Sequence, residues 1–221
     1  FRVYHELNIS EIESLNYIFQ IVCAISLLVG AYGAITQKII KRLLAFSSIN
    51  HIGFILLGMM SYKLMSEGTL FFYLIIYLIT TFGIFAVILN LRTVDGEVTK
   101  ISDLNGLRFT SRPKAIALLV FLFSLAGIPP FAGFFAKFFI LSASVNEGLY
   151  LLSIIAVLSS VIAAFYYLSV IKNMFFNDPK TELLLDNNKI STVVFIVSAL
   201  IVTLFFFYPD PLIDLVDTLF S

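Results

Sequence analysis

The chain has 221 residues, of which 60% are hydrophobic and 13% charged, and its formal net charge is zero. A soluble domain averages about 45–50% apolar and about 25% charged, so the composition excludes a water-soluble globular domain, and the balanced charge gives no reason to expect a nucleic-acid partner. The single cysteine, Cys23, excludes an internal disulfide and a cysteine-ligated metal cluster.

The chain opens on Phe1, and no basic region followed by a short apolar stretch precedes the first long apolar run, so no signal peptide is expected. A spanning helix needs about 20 mainly apolar residues, and six segments are predicted, together forming one all-α transmembrane domain over residues 1–221. The first is predicted over 15–36 and the second over 43–62. The second opens "KIIKRLLAFSSINHIGF", with Lys41 and Arg42 at its edge, either as topology anchors or in a transport role. Ser47 and His51, four residues apart, share a helix face, with Ser48 and Asn50 nearby. A histidine in such a place either relays protons, since it titrates near neutrality, or is a hydrogen-bonded structural residue. The third span, 70–91, carries Tyr77, Thr80 and Thr81, which could serve a water chain or simply pack helices. A polar link follows, with turn signals at Asp95-Gly96 and Asn105-Gly106, long enough for a small loop structure.

The fourth span, 115–145, contains "GIPPFAGFFAKFFIL". Pro129 and Pro130 remove two backbone donors and clash with the preceding turn, Ile128 is pushed from helical geometry, and Gly127 and Gly133 ease the bend. The helix is therefore expected to break near Gly127–Pro130, and the freed carbonyls must be buried or line a hydrated cavity. Lys137 follows, more than about 10 Å from the outer end of the span at ~1.5 Å per residue. A lysine that deep costs ~3 kcal/mol or more unless it faces the bundle interior; partial snorkelling to the interface is the alternative. Burial disfavours the ammonium, so such a lysine can load and release a proton where an arginine could not. The fifth span, 149–174, holds Ser159, Ser160, Tyr166 and Tyr167; the sixth is predicted over 192–208, and 211–220, with Asp214 and Asp217, is expected to be an interfacial amphipathic helix.

Of the fourteen basic residues, all but Arg2, Lys63 and Lys137 fall at or between the ends joined after spans one, three and five. The positive-inside rule places those ends in the cytoplasm or an organelle matrix, with both termini facing outward. No phosphate-binding loop, dinucleotide fingerprint or paired-histidine haem site occurs, and no nucleophile–base set is visible, so no catalytic residue, metal ligand or cofactor-binding residue is expected in this chain.

Three segments, "QKIIKRLLAFSSINHIGFILLG", "FLFSLAGIPPFAGFFAKFFIL" and "SVIAAFYYLSVIKNMFF", resemble the antiporter-like membrane subunits of respiratory NADH:ubiquinone oxidoreductase (complex I), in the branch called subunit 2 or, in bacteria, subunit N. The resemblance implies a longer bundle of two inverted repeats, of which this chain matches the last six helices, and a central axis of lysines and histidines that moves protons. Lys137 matches the lysine in the broken helix of the second repeat, and Lys41 and His51 match that repeat's polar helix. Ser47, Ser48 and Tyr77 would support the path, with Gly127, Pro129, Pro130 and Gly133 forming the break. The resemblance implies no cofactor on this chain, with NADH, flavin, iron–sulfur clusters and ubiquinone on other subunits. The implied partners are other membrane-arm subunits, lipid, and a separate chain supplying the missing helices, unless the chain is a truncated paralogue. The implied location is the mitochondrial inner membrane, or alternatively a bacterial plasma membrane. Two other functions stay open: a subunit of a multisubunit cation/proton antiporter, or a structural membrane subunit that has lost transport.

Overall fold

The computed structural model describes residues 13–61, 67–94, 96–179, 183–185 and 188–205. Long apolar runs without interior proline dictate most of the architecture. Helix α1 spans Glu13–Ile35, α2 spans Ile40–Met60 and α3 spans Glu67–Leu89. After a short loop region come α4 (Leu107–Thr110), α5 (Arg112–Ala126), α6 (Ala132–Asn146), α7 (Tyr150–Phe176) and α8 (Lys189–Leu204). Four of these, α1, α2, α3 and α7, are individually long and apolar enough to cross a membrane. The predicted fourth span is two helices of 15 residues each, α5 and α6. The predicted amphipathic end, 211–220, and the last residues of the sixth span lie outside the described residues.

Burial along α2 shows how sequence spacing sets packing. Leu43, Ser47, Asn50, His51, Phe54 and Leu57 are all buried, and their three- and four-residue spacing puts them on one face. Apolar and polar members therefore point into the bundle together. The α5–α6 pair occupies the centre and packs against α2, α3 and α7. Two apolar cores result. One surrounds α5 and includes Leu43, Ile84, Phe121 and Tyr167. The other surrounds α6 and includes Leu27, Phe54, Tyr73 and Ile140.

The loops contain a small sheet that the helical periodicity did not foretell. Strand β1 (Leu91–Thr93) pairs antiparallel with β2 (Gly96–Glu97) and with β3 (Leu183–Leu185), in the order β2-β1-β3. Leu91 and Leu183 are buried and fasten it to the bundle, while the turn at Gly96, whose φ is 126°, closes the hairpin. The Ile40 amide donates to the Thr99 carbonyl at 3.0 Å, Ile101 to Lys38 at 2.9 Å, and Gly106 to Asn173 at 3.1 Å. The segments following α1, α3 and α7 are thereby held together, so the basic residues they carry share one end of the bundle.

Candidate functional site

The break between α5 and α6 is a built helix terminus. Gly127 has φ 80°, a left-handed conformation that glycine adopts without steric cost. The Gly127 amide donates to the Ser124 carbonyl and the Ile128 amide to the Phe123 carbonyl, both at 3.0 Å, the double bond pattern of a Schellman cap. That cap leaves the Leu125 and Ala126 carbonyls free, and Lys137 takes them: its Nζ donates to Leu125 O at 2.8 Å and approaches Ala126 O at 3.5 Å. Lys137 is 5% exposed. The expectation that the carbonyls would be buried or watered is met by a side chain: the lysine meets the negative end of the α5 dipole, and each satisfies a group the other would leave stranded.

Two glycines make this approach possible. A Cβ on Gly127 would lie 3.0 Å from Lys137 Cδ. A Cβ on Gly133 would collide with the Ser124 carbonyl oxygen. The Gly133 amide, in the first turn of α6, is instead satisfied by Ser124 Oγ at 3.1 Å. The two half-helices thus overlap side by side, which carries Lys137 back to the end of α5. Pro129 and Pro130 lie in the exposed connection, joined by a cis peptide bond.

His51 is buried, and its Nδ1 is 2.7 Å from Tyr73 Oη. Its ring lies 4.8 Å from the Tyr77 ring between centroids. Tyr77 donates to Ser48 Oγ at 2.8 Å, while Ser48 itself donates to the Leu44 carbonyl at 3.0 Å. Ser47 is hydrogen-bonded to the Tyr167 hydroxyl of α7. His51 and Lys137 line one cleft of ≈ 10 Å³, together with Tyr73, Tyr77, Thr80 and Ser124. That is room for about one water. The cleft lies where the two apolar cores meet, so a polar belt crosses the bundle between them. On its other side the Lys137 ammonium lies 5.0 Å from the centroid of the Phe54 ring, within cation–π range.

The structure therefore brings Lys137, His51, Ser47, Ser48 and Tyr77 into one belt with Gly127 and Gly133 beside it. Lys41 is not in it. Lys41 lies on the basic end, 42% exposed, with Nζ 2.7 Å from Glu97 Oε2, about 15 Å from His51 along α2 at ~1.5 Å per residue. The Lys41 hydrogen bond and charge hold the Glu97 carboxyl below its usual range. Three side chains escaped the sequence reading. Tyr73 is one, although its four-residue spacing from Tyr77 was visible. Phe54 is another, and nothing distinguishes it among so many phenylalanines. The third is Lys114, 6% exposed, whose Nζ donates to the Asn90 carbonyl at 3.0 Å just beyond α3.

A membrane helix bundle with a centrally broken helix and a buried lysine at the break is the class that fold and site define. Residues 2–163 match the family model for the NADH:quinone oxidoreductase/Mrp antiporter transmembrane region, and the chain belongs to that family. It is 43% identical over 194 residues to NADH-quinone oxidoreductase subunit N of Rhodospirillum rubrum, covering 88% of this chain and 40% of that protein. It is 40% identical over 202 residues to NADH-ubiquinone oxidoreductase chain 2 of Oenothera berteroana, covering 90% of this chain and 41% of that protein. A chain in the structure of respiratory complex I from Thermus thermophilus with bound aureothin superposes with a TM-score of 0.80 at 26% identity, covering 90% of this chain and 45% of that one. The chain spans about two fifths of the length of the curated relatives it matches.

Proposed function

We propose that the chain is the C-terminal part of a proton-translocating membrane subunit of a respiratory NADH:quinone oxidoreductase, in which Lys137 binds and releases the transported proton. The observation that carries this reading is a buried ammonium held on the carbonyls of a broken helix, in one cleft with a histidine. A proton leaving Lys137 for a water in that cleft reaches His51, which faces Tyr73 through Nδ1. Once neutral, the amine no longer draws on the α5 dipole, so its grip on Leu125 and Ala126 weakens. Protonation and the geometry of the break are thereby coupled. Tyr77–Ser48 and Ser47–Tyr167 extend the hydroxyl belt from α3 to α7. Lys41, exposed and paired with Glu97, anchors the basic end.

The redox groups that drive transport, NADH, flavin, iron–sulfur clusters and quinone, belong on other subunits in this reading, and the helices missing relative to the relatives come from elsewhere in the assembled subunit. The membrane is the mitochondrial inner membrane or a bacterial plasma membrane, with the basic end in the matrix or cytoplasm. The reading is tested in the assembled complex, reconstituted in vesicles, by comparing Lys137→Ala and Lys137→Arg with the wild type. Both variants are expected to lose proton pumping, because arginine keeps the charge yet does not release its proton. Normal pumping by an assembled Lys137→Ala complex would remove Lys137 from the path. The family's other branch supplies the second reading, a cation/proton antiporter subunit; sodium-dependent proton exchange in vesicles without any co-purifying quinone reductase would favour it.

A further inference from the structure

A groove of ≈ 580 Å³ runs between α5 and α8, away from the Lys137 cleft, along Ile116 and Val120 on one side and Ile196 and Leu200 on the other. Both helices begin at the basic end of the bundle, so they run parallel there, and Arg112 lines the groove at that end. From Arg112 to Val120, and from Ile196 to Leu204, the walls extend about 12 Å each, which approaches one leaflet of a ~30 Å hydrocarbon core. The walls are apolar except for Arg112 and Thr203, and the Thr203 hydroxyl already donates to the Ala199 carbonyl at 2.8 Å within its own helix. An occupant must therefore be apolar along its length and anionic at one end. Among the described residues Arg112 is exposed and makes no salt bridge, and the exposed Lys189 opens α8 at the same end.

We propose that the α5–α8 groove binds one anionic phospholipid from the basic-side leaflet, its acyl chain along the helices and its phosphate at Arg112. The lipid covers the exposed sides of Ile116, Ile196 and Leu200, and its head group gives the Arg112 guanidinium an anion that none of the described residues supplies. The matrix or cytoplasmic leaflet is where anionic lipids meet such basic groups.

The test uses the membrane-extracted complex that contains the chain. The complex is reconstituted in nanodiscs of phosphatidylcholine with a minor share of phosphatidylglycerol, washed with detergent, and read by native mass spectrometry for retained lipid. The wild type is expected to retain phosphatidylglycerol in preference to phosphatidylcholine. Arg112→Gln should lower that retention by roughly fivefold. Ala199→Trp, which fills the groove and leaves Arg112 in place, should abolish it. Retention blind to head-group charge, or unchanged in both variants, overturns the proposal. So does a Leu200→Cys photocrosslink in native membranes that captures a polypeptide instead of lipid, since a protein would then occupy the groove.

Discussion

The break and the basic end of the bundle hold lysines in opposite circumstances. At the break, Lys137 is buried, donates to two terminal carbonyls of α5 and shares a cleft with His51. At the basic end, Lys41 is exposed and paired with Glu97 beside the small sheet. Lys114 completes the contrast: it is as buried as Lys137 and also donates to a carbonyl near a helix end, yet it does not line the cleft. A buried ammonium on a helix terminus is thus a structural device that this fold uses twice. What sets Lys137 apart is the adjoining histidine and the space for water. Function follows from the neighbours of the charge as much as from its burial.

The comparison is broken most severely at Gly133. Alanine there would drive a methyl group into the Ser124 carbonyl, so α5 and α6 must separate. Overpacking of this kind costs roughly 1–3 kcal/mol. Thermal unfolding of Gly133→Ala should show that loss, with proton pumping falling alongside it as Lys137 leaves the α5 carbonyls; unchanged stability and pumping would mean the side-by-side overlap does not position Lys137.

Lys114→Met sharpens the contrast from the other end. It strands the Asn90 carbonyl and should destabilise the protein by about 1–3 kcal/mol, while pumping per assembled complex stays near wild type. Pumping lost at unchanged stability would put Lys114 in the path and erase the distinction drawn between the two buried lysines. The smallest effect belongs to Lys41→Met, which should lower the melting temperature only slightly and leave pumping unchanged at neutral pH, as exposed ion pairs contribute little. The pH dependence has a defined sign. Because Lys41 depresses the Glu97 carboxyl, the pair's contribution is complete above the ordinary glutamate range and is lost as pH falls through the depressed folded-state value. Lys41→Met should remove that acid-side slope, and a slope that persists would show that another group generates it.

Much of this was legible in the sequence because lipid is a demanding solvent. Apolar runs of spanning length announce helices, and Gly-Ile-Pro-Pro cannot continue one. Lys137 stood out because apolar residues flank it on both sides, and the Ser47–His51 spacing showed a polar face on α2. The partners of these residues were less visible. Tyr73 sits in "LFFYLIIYLITT", where a tyrosine among aromatics reads as packing until the facing histidine is known. Lys114 follows Arg112 and Pro113 at the end of a polar link, so its sequence context is that of a solvated charge. Its burial arises from tertiary contact with the end of α3. The sheet escaped for the same reason: β3 is three leucines in a polar stretch, and its partner β1 lies about ninety residues earlier, in the segment that follows α3. Local pattern fixes which residues are unusual, and long-range packing decides what each one meets.

The central claim is that the Lys137 ammonium changes protonation during transport. Infrared difference spectroscopy of the assembled complex, labelled with nitrogen-15 lysine and compared between resting and turning-over states, observes that ammonium directly. The account predicts an isotope-sensitive ammonium band that changes on turnover in the wild type, survives in Lys114→Met and is absent in Lys137→Ala. An ammonium signal that does not change on turnover, or one that persists in Lys137→Ala, would contradict it.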